Sequence, residues 1–415
     1  LTLTDFSLAS TVSDGRNTRG MTPIYRPLLN GVEFDITVSE ATISGAEYQH
    51  DVVSMSCTSE TLKDTTSLAG SAISFYWGLA PRTELFNGYI NSVTDDQNAT
   101  GSSALSFTMS ILGATKDMQT GNPHFWANYT IPQAVETLAY RGLLGSHRHE
   151  DAHVWLSLAQ TDESDWKLAC DLAKRLGWSI FNRYGVVMCY NPLRLFIENG
   201  SYVQLVASQY ASTDFADYER ALVEFTPIED SESSYRNIGA KIAYFNGETV
   251  QSAVQPGNDF TMYKYLSNLP VRNAEEAAIY CNIKTYSSDS WRQQATARVL
   301  GNANIYPGMN VDIYTSNPKY YRDRYNGRWL VRGVQHHMDR QTFQTRLLLA
   351  RPDSTAAIQT APYVPFWTQA GKARPNLTLF EGQWSSSWTD RRVRDTWTIT
   401  TPMVKSPVAA IGNMP

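Results

Sequence analysis

Charge is scarce in this chain. Only 18% of its 415 residues are Asp, Glu, Lys or Arg, against a usual share of about 25%, and the balance is acidic, with a net charge of −5. A protein that grips nucleic acid through a basic surface is excluded by that sign. Cysteine is scarcer still: Cys57, Cys170, Cys189 and Cys281 are the four present, with no C-x-x-C pair among them. Density alone excludes a disulfide scaffold, and small buried hydrophobes are the better reading of all four. Long apolar runs are missing too. The strongest, Val186-Val187-Met188-Cys189-Tyr190 and Leu347-Leu348-Leu349-Ala350, are strand-sized and far short of the roughly 18 residues that span a bilayer, so stable membrane insertion is not expected. Leu1-Thr2-Leu3-Thr4-Asp5 carries neither a basic nor an apolar signal region. No G-x-x-x-x-G-K-S/T, G-x-G-x-x-G or G-x-S-x-G occurs, which removes the motif basis for a P-loop, a dinucleotide fold or a hydrolase nucleophile elbow.

Aromatic residues are plentiful, with 23 Tyr and 11 Trp, and such a low-charge composition points to a strand-rich molecule much of whose surface meets partners. At about 150 residues per domain the length suggests about three domains. Charge divides the chain in the same way. Residues 1–115 hold twelve acids against five bases, whereas residues 351–415 hold four acids against seven bases.

Residues 1–115 read as β. Val32-Glu33-Phe34-Asp35-Ile36-Thr37-Val38 alternates apolar and polar at period two, the pattern of a half-buried strand. Ile73–Trp77 is a second strand, and Phe86-Asn87-Gly88-Tyr89-Ile90 places a turn-forming Asn-Gly between aromatics. Residues 116–200 read as α/β. Thr130 and Gln133 fit a capping box, with Ile131, Ala134, Val135 and Leu138 on one helical face. A second helix from about Asp162 to Leu176 carries Trp166, Ala169, Cys170, Ala173 and Leu176 at helical spacing and stops at Gly177. A hairpin follows, Ser179–Asn182 and Val186–Tyr190 around a turn at Arg183-Tyr184-Gly185. Residues 201–355 return to β, with one helix expected at Asn273 and Glu276. They close on a hairpin of Trp329–Val334, a turn at Asp339-Arg340-Gln341, and a strand with Phe343, Thr345, Leu347 and Leu349 on one face. Tyr325-Asn326-Gly327 echoes Phe86-Asn87-Gly88, a thin hint of duplicated barrels. Residues 356–415, rich in Pro, Ser and Thr, read as an extended arm whose Trp367, Trp384, Trp388 and Trp397 are candidate partner-docking anchors.

One catalytic pattern is literally present. His149-Glu150-Asp151-Ala152-His153 matches H-E-x-x-H, in which two histidines on one helical face hold zinc and the Glu serves as general base. The context opposes it: Val154–Ala159 looks like a strand, and Leu156 and Ala159 stand where an extended motif needs Gly and a third His. Glu163 is the remaining third-ligand candidate, near the cap of the next helix. A solvated loop is the preferred reading. Asp162, Glu163 and Asp165 read as helix N-terminal charges, and His336-His337, in a strand, point to opposite faces. No cofactor is expected, and nothing demands an enzyme.

The order of these elements carries a resemblance. Gln160-Thr161-Asp162-Glu163-Ser164-Asp165-Trp166, the Ala/Leu-rich helix, Gly177-Trp178 and the hairpin resemble the central domain of bacteriophage tail hub (baseplate hub) proteins and of the hub part of type VI secretion spike proteins. Tyr306-Pro307-Gly308-Met309-Asn310-Val311, Asn326–Val331 and the strand from Phe343 to Arg351 are similar to that family's closing barrel; Phe75–Gly78 and Phe86–Ile90 are similar to its first barrel. The resemblance implies an α+β, mainly β chain. Two tube-type β-barrel domains (1–115 and 201–355) would be joined by a small α/β domain (116–200), with the arm (356–415) outside the pattern. It implies a homotrimer at the virion's tail tip, with a tail tube or distal tail protein on one side and tip, spike or fibre proteins on the other. Phage DNA would pass through the lumen without specific binding. If that lumen is a negative wall that DNA slides past, several of Glu33, Asp35, Glu40, Glu47, Asp51, Asp95 and Asp96 would line it; the alternative is that they solvate the outer surface. The rival functions are a zinc-dependent peptidase or cell-wall hydrolase built on His149, Glu150 and His153, and a carbohydrate-binding tail protein using the arm's tryptophans.

Overall fold

The computed structural model describes residues 24–62, 64–78, 84–95, 104–149, 154–198, 203–207, 221–229, 237–243, 249–252, 263–266, 291, 293–314, 325–339 and 342–351. The arm with its four tryptophans, the helix expected at Asn273, and Cys281 lie outside these residues.

The first seven strands are β1 (Ile24–Leu29), β2 (Val32–Glu33), β3 (Thr37–Ala46), β4 (Val52–Ser59), β5 (Ala72–Trp77), β6 (Glu84–Asp95) and β7 (Leu105–Gly113). A 3-10 turn at Ala114–Met118 leads to β8 (His124–Thr130), α1 (Ile131–Arg141), β9 (Gly145–Arg148), β10 (Val154–Gln160), α2 (Asp165–Leu176), β11 (Ser179–Arg183), β12 (Val186–Tyr190) and α3 (Pro192–Glu198). Then come β13 (Val203–Ala207), β14 (Ala221–Glu229), β15 (Asn237–Ala243), β16 (Thr249–Ser252), β17 (Tyr263–Leu266), β18 (Gln293–Leu300), β19 (Asn310–Tyr314), β20 (Gly327–Asp339) and β21 (Phe343–Arg351).

Six of these strands close a barrel in the order β19, β13, β14, β18, β21, β20, with β20 returning to β19. Its interior is the alternate-residue face that period two dictates: Ala295, Ala297 and Val299 from β18, Leu347 and Leu349 from β21, and Val311, Ile313, Trp329 and Val331 from β19 and β20. Trp329 is fully buried there, its indole N–H donating to the Tyr325 carbonyl at 2.9 Å.

β20 then leaves the ring. Its first residues pair with β19 (Asn310 opposite Leu330), while Gly333–Asp339 pair antiparallel with Glu40–Ala46 of β3. A register shift between Val331 and Gly333 marks the change, the kind of local irregularity that bends a strand out of one sheet into another. Through this splice β3, β4, β7, β6, β5, β1 and β2 continue the ladder, and the whole is one 13-stranded sheet. The first seven strands curl around their own core of Val53, Met55, Phe75, Ile90, Phe107, Met109 and Ile111, into which Met338 and Phe343 reach from β20 and β21. Among the described residues β3 pairs with β20 and β4, so it is β20, not β1 or β2, that occupies its other edge.

The α/β unit forms a third core. The Thr130 hydroxyl accepts from the Gln133 N–H while the Gln133 side chain accepts from the Thr130 N–H, the reciprocal cap expected from sequence. Ser164 caps α2, and Gly177 ends it in the left-handed conformation at φ 67°. Trp126, Leu138, Trp166, Leu172 and Trp178 pack between the helices and the β9–β12–β11 sheet. The other face of the β11–β12 hairpin carries Phe181, Met188 and Tyr190 onto Leu195 and Leu330, and so docks this unit against the closed barrel.

Three local expectations are corrected. The single strand over Val32–Val38 is two, β2 and β3, because the Phe34 N–H turns back to the Pro27 carbonyl (2.8 Å) and the Ile36 N–H to the Phe34 carbonyl (3.0 Å); Phe34, Ile36 and Val38 still share the buried face. Asn87-Gly88 is no turn but lies inside β6. The echo with Asn326-Gly327 is therefore not structural, since Gly327, at φ 106°, opens β20.

Candidate functional site

His149 follows directly on β9, and its N–H donates to the Cys189 carbonyl at 3.0 Å. Its ring is buried against Tyr190, edge to face at 4.7 Å, and its Nδ1 accepts the Asn191 N–H at 3.1 Å. Burial holds its pKa well below the ordinary value, with Arg194 and His147 adding to the effect. Val154 opens β10, the strand expected from sequence, which pairs with β8 from Val154–Thr130 onward. Flanking strands, not a helix, thus bracket the motif. Glu150, Asp151, Ala152 and His153 lie outside the described residues. Among the described residues no group of three or more His, Cys, Asp or Glu is arranged to hold a metal ion. Glu163 is half-buried, and its carbonyl accepts from the Gln160 side chain at 3.2 Å. Asp165, read as a helix-end charge, is buried and does more: it accepts from Gln160 Nε2 at 2.6 Å and pairs with Arg141 Nε at 3.3 Å, tying α2 to β10 and α1. His336 and His337 face opposite sides, the first 2% exposed with its Nδ1 2.9 Å from the Thr345 hydroxyl, the second beside Glu40 at 3.7 Å.

The seven acids separate into two kinds. Glu33, Asp35, Glu40 and Asp95 are exposed, Asp35 accepting from the Thr61 hydroxyl and Asp95 from the Thr65 hydroxyl. Asp96 lies outside the described residues. Glu47 and Asp51 do not belong with the exposed group. Both sit in the turn between β3 and β4, which inserts between the spliced sheet and the α/β unit. Glu47 is buried and ion-paired with Arg332 of β20, whose carbonyl also accepts the Glu47 N–H at 3.1 Å. Burial raises the Glu47 pKa despite the guanidinium. The Asp51 carboxylate accepts from Asn182 Nδ2 of β11 at 2.6 Å, and burial pushes its pKa up to about 7. Between these two carboxylates the Tyr48 hydroxyl donates to the Trp178 carbonyl at 2.7 Å. The β3–β4 turn is therefore a polar clasp joining three parts of the molecule. Alternation alone reads its acids as solvated, because their partners lie more than 100 residues away.

No protein-family model matches the chain, and no curated protein matches it either. Its fold does match. The tail protein from Neisseria meningitidis MC58 superposes with a TM-score of 0.60 at 11% identity, over 80% of this chain and 99% of that one. The 43 kDa tail protein of prophage MuSo2 from Shewanella oneidensis gives 0.58 at 12% identity, over 80% and 98%. The chain has a phage tail-protein fold. A type VI secretion component of E. coli, described as structurally similar to the T4 tail proteins gp27 and gp5, gives 0.53 at 10% identity over 80% and 78%. At these identities the likeness is one of fold.

Proposed function

We propose that this chain is a structural tail protein of a phage-type particle, the hub subunit at the tail tip, and we assign it no catalytic role. The observation that carries the reading is the shared strand: β20 closes one six-stranded barrel and extends into the curled sheet of a second β unit. In this reading each chain carries two joined tube-type units, divided as 1–115 and 201–355 with 116–200 between them. Three chains supply six such units, which suits a trimer that meets a six-fold tail tube. A three-fold ring is one of the closed symmetries that homo-oligomers adopt. In this reading the tube or a distal tail protein lies on one side of the ring and tip, spike or fibre proteins on the other.

The ring would enclose the DNA path. The exposed acids Glu33, Asp35, Glu40 and Asp95 are the ones free to form a negative wall, since Glu47 and Asp51 are engaged inside the protomer. Carboxylates repel phosphates and offer no lysine or arginine contacts from which counterions would be released, so a duplex slides past them. Native mass measurement tests the assembly, with three times the chain mass expected. A stable monomer at high concentration, or a two-fold or six-fold ring in the particle, refutes the hub reading. Imaging of the assembled ring checks the wall, and a neutral or basic lumen refutes that part alone.

A further inference from the structure

The ladder register lines up outward-facing side chains in rows that cross the strands. One row runs Thr226, Thr296, Leu348, Gly333 and Ala46 over β14, β18, β21, β20 and β3. The next row is longer in side chain: Glu224, Arg298, Arg346, Gln335 and Ser44. On the other side Ile228, Gln294 and Ala350 stand in register. Thr296, Leu348, Gly333 and Ala46 of the first row are the floor of a trough of about 620 Å³, whose lining reaches β14 at Glu224. Its depth depends on small residues: a Cβ on Gly333 would meet Leu348 Cδ1 at 3.2 Å and the Ala46 Cβ at 3.3 Å. Leu348, in the middle of that floor, is 54% exposed. The Arg298–Glu224 pair at 3.3 Å, with Arg346 beside it, forms the charged wall. Five strands at about 4.8 Å spacing make the trough roughly 19 Å long.

We propose that residues 361–367 of the same chain lie in this trough, along its floor and across the strands. The sequence of that segment is Ala361-Pro362-Tyr363-Val364-Pro365-Phe366-Trp367, seven residues without a charge and with three aromatic rings. It suits the site in three ways. Seven residues of polyproline II chain measure about 22 Å, close to the length of the trough. Pro362 and Pro365 lack the N–H that a ladder needs, so the segment fits a groove that crosses strands better than it fits a sheet edge. Tyr363, Phe366 and Trp367 can set their faces against the guanidinium groups of Arg298 and Arg346, a favourable pairing when partly desolvated. Reach is sufficient. β21 ends at Arg351, three residues past Leu348, and the nine residues 352–360 can span up to roughly 30 Å, more than enough to turn back onto the face that β21 has just built.

The test is thiol accessibility in the full-length protein. Cys57, Cys170 and Cys189 are buried and their thiols are pushed up to about 12, so with Cys281→Ser a Leu348→Cys variant presents one reactive thiol. Its maleimide alkylation is compared with that of the same chain also carrying Tyr363→Ser, Phe366→Ser and Trp367→Ser. Docking predicts at least a tenfold faster reaction when the aromatic residues are removed. Equal rates overturn the proposal, whether fast (a bare trough) or slow (a trough covered by something else). A second pair, Thr296→Cys with Val364→Cys, avoids altering the leucine. Oxidation is expected to give a cross-linked monomer on a denaturing gel. A cross-linked dimer, which would seat the segment on another copy, or no cross-link at all overturns the proposal.

Discussion

Arg332 stands where the spliced sheet, the β3–β4 turn and the stretch before β18 meet: it pairs with buried Glu47, and its guanidinium lies 5.3 Å from the Trp291 ring centroid. Removing the guanidinium leaves the buried Glu47 carboxyl without its counter-charge. Arg332→Ala is therefore expected to destabilise the fold by about 3–5 kcal/mol, and the double variant Glu47→Gln, Arg332→Met to recover most of that loss; denaturant unfolding of the three proteins checks both. Asp51 gives a pH signature. Its folded pKa is about 7 against an ordinary 3.8, so between about pH 4 and 7 the folded state holds a proton that the unfolded state has released, and stability falls as pH rises through that window. His50, His149 and His336 have lowered values and act in the opposite sense, losing stability as pH falls. The difference between wild type and Asp51→Asn isolates the carboxylate: the variant should gain stability relative to wild type from pH 4 to pH 7. A difference that stays flat over that range would show Asp51 to be in ordinary contact with solvent. Neither Glu47 nor Asp51 was legible in the sequence as an interior group, because a polar residue in a turn reads as solvated until its distant partner is known.

The two Asn-Gly pairs show what short motifs can and cannot carry. Gly88 lies inside β6, where an added Cβ would meet the Leu112 carbonyl oxygen of β7 at 2.2 Å; Gly327 has open space around it but a φ of 106°. The same dipeptide thus meets a packing demand in one place and a backbone demand in the other. Gly88→Ala must push β6 off β7 and is expected to cost well over the ~1 kcal/mol expected of Thr130→Ala, which removes only a helix cap; thermal unfolding of the two variants ranks them. Local patterns served well where the decisive forces are local. Helix α2 was legible from Trp166, Cys170, Ala173 and Gly177, since its period, its cap and its stop all fall within fifteen residues. The same holds for the β11–β12 hairpin, whose turn uses Tyr184 and Gly185 at positive φ (52° and 76°). Strand faces were legible as well, down to the buried alternation of Phe343, Thr345, Leu347 and Leu349. Strand partners were not, because period two says which side of a strand is apolar and nothing about which strand lies beside it.

Across the whole molecule that missing knowledge is concentrated in one strand. The sequence pattern separates two β modules with an α/β module between them; in the structure the outer two are spliced through seven consecutive residue pairs between β20 and β3, with Met338 and Phe343 buried in the far core. Neither β unit can lose its ladder without exposing the other's apolar face, so far-UV circular dichroism and tryptophan fluorescence should report a single coincident unfolding transition. Two separated transitions would mean that the splice does not couple the units. The splice also decides how the molecule carries force. Where units are joined by a flexible connector, tension first straightens the connector and the units swing freely. Here tension between the two β units passes along β20 and loads its hydrogen bonds with β3 together rather than one after another. The joint resists sliding until many bonds yield at once, and it transmits a push or a twist from one unit to the other with almost no slack.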